Sequence, residues 1–146
     1  MSKDRSFFLT SGLHALKERW LLGWGWGNAY WYLPGVGLFP TGDIPWYHND
    51  YLNLAVQIGI VGVLLYLGYW WQLLGAAQRW LKTHAGASLS GYVRGSQAAL
   101  VGLLIAAAFE HVLWRPDIAG LVGWLSGLML AGMYLGARDQ LEVEAA

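Results

Sequence analysis

The sequence predicts an all-α, polytopic membrane protein with three transmembrane helices preceded by an amphipathic helix and a loop. Three observations support that fold class. Apolar residues fill 56% of the 146 positions and charged residues only 12%, about half the charged share of an ordinary soluble domain. The run from Tyr51 to Gln78 carries no charge and exceeds the roughly 20 apolar residues that a bilayer crossing needs. The chain also has 10 tryptophans and 8 tyrosines, rings that favour the headgroup level. They crowd the segment before that run: Trp20, Trp24, Trp26, Tyr30, Trp31, Tyr32, Trp46, Tyr47 and Tyr51.

The elements follow in order. Lys3, Asp4 and Arg5 open the chain without the continuous apolar core or small-residue cleavage site of a secretion signal. From Ser6 to about Leu22, Leu9, Leu13, Leu16 and Trp20 recur at helical spacing, with Lys17, Glu18 and Arg19 near the end. A helix lying on a membrane surface fits that pattern. The glycines of Gly23–Asn28, GWGWGN, allow backbone conformations closed to other residues and end it. A loop rich in glycine, proline and aromatics then runs to Pro45, and Pro45 with Asn49 or Asp50 marks the next helix start. Residues 1–47 thus form the helix-and-loop segment and residues 48–146 the transmembrane region, with spans at about 51–76, 96–114 and 118–136.

Charge constrains partners more than orientation. The formal net charge is zero, so the concentrated basic face expected of a nucleic-acid binder is missing. The absence of cysteine removes disulfides, thiolate chemistry and zinc–thiolate sites together. The Arg79–Gly95 link carries Arg79, Lys82 and Arg94 and no acid, as a cytoplasmic loop should. Lys3, Arg5, Lys17, Arg19 and Arg115 would lie on the opposite side from it, however, and balance Arg79, Lys82, Arg94 and Arg138. Charge alone leaves the topology open. His14 and His84 read as surface residues.

The chemistry-bearing cluster stands at the mouth of the first span. His48, Asn49 and Asp50 precede an almost purely apolar helix. Asp50, Asn53 and Gln57 share one helical face, which must point away from lipid. Gly59 and Gly62 predict a shallow groove for close packing of another helix. A helix N-terminus carries unpaired amide hydrogens and partial positive charge, suited to a phosphate or pyrophosphate. Beside it, a histidine, with an ordinary pKa of about 6.5, can exchange a proton near neutral pH. Asn49 reads equally as a helix cap or a ligand contact.

His48-Asn49, nine residues, then Gly59-Ile60-Val61-Gly62 spells H-N-x9-G-x-x-G. This resembles the signature of the O-antigen ligase and O-antigen polymerase superfamily, bacterial inner-membrane enzymes that move glycans off a polyprenyl pyrophosphate carrier. The upstream stretch from Arg5 through the amphipathic segment to Gly23–Asn28 looks like that family's arginine, helix and Gly-x-Gly turn. The resemblance covers about Arg5 to Tyr66 well and the remaining spans loosely. It implies inverting glycosyl transfer to a hydroxyl acceptor at the periplasmic face, without metal or cofactor. In that reading Arg5 holds the pyrophosphate, His48 assists the acceptor, and Asn49, Asp50, Arg19 and Asn53 contribute to substrate binding. By the same analogy the N-terminal segment and the Arg115 turn are periplasmic, and the Arg79–Arg94 loop and C-terminus cytoplasmic.

Members of that superfamily are longer, with about a dozen spans, so this chain is expected to be a C-terminal piece, its remaining spans supplied elsewhere. The partners implied are the lipid-linked donor, a saccharide or other hydroxyl acceptor, membrane lipids and those missing spans, with no nucleic acid. Glu110 and His111 are expected to face the cavity or Arg115. The alternative is a non-catalytic small membrane subunit, or one half of a split enzyme, docking a larger partner through its Gly59/Gly62 face.

Overall fold

The computed structural model describes residues 5–26, 47–110, 112–113 and 115–144; the side chains of Arg5 and of residues 140–144 also fall outside the description. Among the described residues the chain is all-helical, with α1 (Arg5–Glu18), α2 (Asp50–Thr83), α3 (Ser90–Ala106) and α4 (Pro116–Glu144). Two helices, Asp50–Thr83 and Pro116–Asp139, are long and apolar enough to cross a membrane. The stretch expected as the middle span begins earlier, as the 17-residue α3. The expected loop from Arg79 to Gly95 shrinks to the residues between Thr83 and Ser90. Most of the expected Gly, Pro and aromatic loop lies outside the described residues.

The chain forms two compact units, Met1–Gly68 with Ala106–Trp114, and Tyr69–Ile105 with Arg115–Ala146. In the first, α1 packs against the start of α2. The stripe Leu9, Leu13 and Trp20 read from the sequence stays exposed. Leu16, the fourth residue of that stripe, joins Phe8, Gly12 and Ala15 in the face packed against Tyr47, Leu52 and Val56. Small side chains explain the choice: a Cβ at Gly12 would lie 2.8 Å from the side chains of both Leu52 and Tyr47, so a larger residue would have to push them aside.

α2 is not one continuous helix. Gly59 sits at φ 68°, ψ −177°, and divides it into two helical segments. A break strands carbonyls on one side and amides on the other, and such groups need partners when buried. The turn after α1 provides them. The amides of Trp24 and Gly25 donate to the carbonyls of Val56 and Gln57, both at 2.9 Å, while Ile60 and Val61 donate to Trp20 and Leu21 at 2.8 and 3.4 Å. This is why α1 stops at Glu18 instead of running to Leu22. Residues 19–23 make one more turn, closed by Gly23 N–H to Arg19 O at 2.9 Å and ended by left-handed Gly23.

Gly59, read from the sequence as part of a groove for another helix, here forms the break and packs against the turn after α1. A Cβ on Gly59 would fall 2.1 Å from the Leu21 carbonyl oxygen, and one on Gly23 would fall 2.4 Å from the Gln57 carbonyl. Gly62 makes room for the Ile58 side chain.

The second unit uses more conventional devices. Gln97 donates to the Leu74 carbonyl at 3.0 Å, tying α3 to α2. Gly132 and Gly136 bring α4 against Val93 and Trp80, where a Cβ would come within 2.8 and 2.7 Å, the small-xxx-small approach common between membrane helices. Pro116 takes the first position of α4, where its missing N–H costs nothing. Of the two histidines read as surface residues, His84 is half-buried and stacks on Trp80 at 4.6 Å, and His14 is exposed within 4.0 Å of Glu18.

Gly59→Ala is expected to destabilise the full chain by at least the roughly 1–2 kcal/mol of a left-handed non-glycine backbone, with the collision at Leu21 added. Gly68→Ala, where a Cβ meets nothing within 4 Å, should stabilise by about 0.5–1 kcal/mol. Thermal unfolding of both variants in detergent micelles, read by circular dichroism, checks the contrast.

Candidate functional site

His48, Asn49 and Asp50 come together with the turn that follows α3. Asn49 is the N-cap of α2: its Oδ1 accepts the Leu52 amide at 2.9 Å and its carbonyl accepts the Asn53 amide at 3.0 Å. Its other polar end, Nδ2, donates to the Ala108 carbonyl at 2.8 Å. The asparagine thus caps one element and fastens another.

Asp50 extends the same clamp. Its amide donates to Ala107 O at 2.8 Å, and its Oδ2 accepts the amides of Val112 and Leu113 at 2.8 and 2.6 Å. The residue is 2% exposed, and backbone donors to a carboxylate are among the stronger hydrogen bonds. These contacts hold residues 107 and 112–113 on either side of Glu110. Behind Asp50, Asn53 and Gln57 are fully buried, with Gln57 Nε2 donating to the Asn53 carbonyl at 3.4 Å. The polar face read from the sequence is thus an inward one within this unit, and its described contacts are to the chain itself.

His48 occupies the exposed side of the cluster. Its Nδ1 lies 2.8 Å from Glu110 Oε1, and its ring meets Phe8 of α1 edge-on at 6.1 Å. Its backbone is left-handed, φ 50°, the one such non-glycine residue among those described. A non-glycine residue there is strained, and it persists because both neighbours are fixed: Tyr47 is fully buried and Asn49 caps the helix. The strained backbone sets the imidazole at the mouth of α2 rather than in its first turn.

The other expected site residues separate. Arg19 lays its guanidinium over the Trp24 ring, 4.5 Å from the centroid, while the Trp24 indole N–H donates to Ala15 O at 2.9 Å. Arg5 begins α1, but its side chain lies outside the described residues, as does His111. Glu110 meets His48, and Arg115 pairs with Asp117 at 2.9 Å. The sequence reading missed the 107–113 turn as the partner of Asn49 and Asp50. It also missed Trp24, whose indole, ring face and amide each bind a different segment. Only the isolated acid Glu110, near the end of an apolar run, signalled the turn.

Replacing Asp50 with alanine removes two hydrogen bonds to a charged acceptor, each worth about 1.5–3 kcal/mol. The 107–113 turn should then open more often, and chymotrypsin cleavage after the exposed Phe109 should rise by about tenfold or more. Quantitative proteolysis of wild type and Asp50→Ala measures this. No family model, curated protein or solved structure matches the chain.

Proposed function

We propose that this chain is a membrane-embedded glycan-transfer unit of the O-antigen ligase or polymerase type, the C-terminal part of such an enzyme in the bacterial inner membrane. The observation that carries the reading is the meeting of two separated stretches. The turn after α1 and the segment that begins with His48-Asn49 and contains Gly59 are the two pieces on which the family resemblance rests. They are joined by backbone hydrogen bonds around Gly59, and glycine is required on both sides of the junction. The arrangement presents His48 at a capped helix N-terminus, half-exposed and able to meet a substrate.

In this reading α2, α3 and α4 cross the membrane, as the exposed Leu64, Leu65, Trp71, Ile105, Trp124 and Leu130 support. The His48 mouth and the turn at residues 107–115 are periplasmic; Arg79, Lys82 and Arg94 lie on the cytoplasmic side. α1 lies at the membrane surface, its exposed Leu9, Leu13 and Trp20 turned to lipid. The donor is a glycan on polyprenyl pyrophosphate. As the acceptor hydroxyl oxygen bonds to the anomeric carbon, its proton passes to His48, and the bond to the pyrophosphate oxygen breaks with its electron pair. The Arg5 guanidinium, a planar fork suited to phosphate oxygens, takes up the charge of the leaving group. Inversion follows from displacement on the face opposite the leaving group.

The test grafts residues 1–146 in place of the matching end of a full-length O-antigen ligase. His48→Ala and Arg5→Ala are each expected to lower glycan transfer by about 10²–10⁴-fold at unchanged membrane levels. Transfer that survives His48→Ala would reduce the cluster to a helix cap and leave a non-catalytic membrane subunit as the reading.

A further inference from the structure

We propose that Glu110 is a positioning residue for His48, fixing the imidazole tautomer that leaves Nε2 bare toward the acceptor. The inference rests on the reading of His48 as proton acceptor and adds to it the group that prepares the base. An ionised carboxylate can only accept a hydrogen bond, so the 2.8 Å contact to Glu110 Oε1 puts the proton on Nδ1. In the neutral ring the lone pair is then on Nε2, the nitrogen pointing away from the carboxylate.

An exposed ion pair alone would be a weak constraint, and the two side chains are 39% and 57% exposed. The backbone supplies the missing rigidity. His48 precedes the Asn49 cap, while Glu110 rides on a turn gripped at Ala107, Ala108, Val112 and Leu113 by Asn49 and Asp50. One pair of adjacent residues therefore fixes both members of the dyad. Of the elements packed around His48, α1 presents Phe8, the turn presents Glu110, and α2 contributes Asp50, whose Oδ2 is occupied by the turn amides. When Nε2 takes the acceptor proton, the resulting imidazolium faces the Glu110 charge, which stabilises it; the proton then leaves to water and restores the neutral ring.

Nitrogen-15 histidine spectra of the full chain in micelles read the tautomer directly, with the His48 signals assigned by their loss in His48→Ala. The expected result is the Nδ1–H form in wild type, retained in Glu110→Gln, whose amide oxygen still accepts, and replaced by a tautomer mixture in Glu110→Ala. In the grafted enzyme, Glu110→Ala should lower kcat by at least about tenfold and by no more than the roughly 10²–10⁴-fold that the base itself contributes, with donor KM unchanged, and Glu110→Gln should recover part of the loss. An Nε2–H form in wild type overturns the proposal, as does a tautomer or kcat indifferent to Glu110→Ala. The wild-type spectrum decides even if the alanine variant misfolds. Transfer abolished by His48→Ala alongside the wrong tautomer refutes the pair alone, whereas the expected tautomer with transfer indifferent to His48→Ala refutes the base reading alone.

Discussion

The interruption of α2 at Gly59 is the constraint on which the first unit depends. A helix broken in apolar surroundings exposes backbone groups that no water can satisfy, each costing several kcal/mol in hydrocarbon. Here those groups are met by the turn Trp20–Gly25, which reverses the usual order of influence. The turn is not a connector that the helices tolerate; it completes a helix that could not otherwise stop and restart there. Its grip also determines where α1 ends and which face of α1 is packed, because Trp24 binds Val56 through its amide and Ala15 through its indole.

The mouth of α2 follows the same logic at smaller scale. The family resemblance implies substrate contacts for Asn49 and Asp50, and their described hydrogen bonds are to backbone groups, at the start of α2 and in the turn after α3. What they hold outward is His48, on a strained left-handed backbone, beside Glu110. Strain of this kind persists only where the surroundings over-determine it, and buried Tyr47 on one side with capping Asn49 on the other does so. Rigid neighbours beneath a half-exposed side chain are what the proposed proton transfer at His48 would require.

Sequence periodicity sufficed for what depends on local chemistry. The buried face of Asp50, Asn53 and Gln57, the punctuation at Gly23 and a cap at Asn49 or Asp50 are written in side-chain type and spacing, though not which of the two residues caps. The break at Gly59 was not, because a glycine inside an apolar helix is compatible with close packing, simple tolerance or interruption, and only the partner turn decides. The face of α1 that packs on α2 could not be read for a related reason: Gly12 and Ala15 carry no hydrophobic signal, yet their small size lets Leu52 and Tyr47 approach. The pairing of Glu110 with His48 spans 62 residues, a separation that local patterns do not encode.

Amide hydrogen exchange at Trp24 and Gly25 in the full chain tests this account most directly. Both residues lie outside the four helices, so ordinary turn amides there would exchange fast. If the turn seals the break in α2, both should be protected about as well as amides in the body of that helix. Rapid exchange at Trp24 and Gly25, with Val56 and Gln57 still helical, would contradict it and leave the broken helix, and the site built on it, without their support.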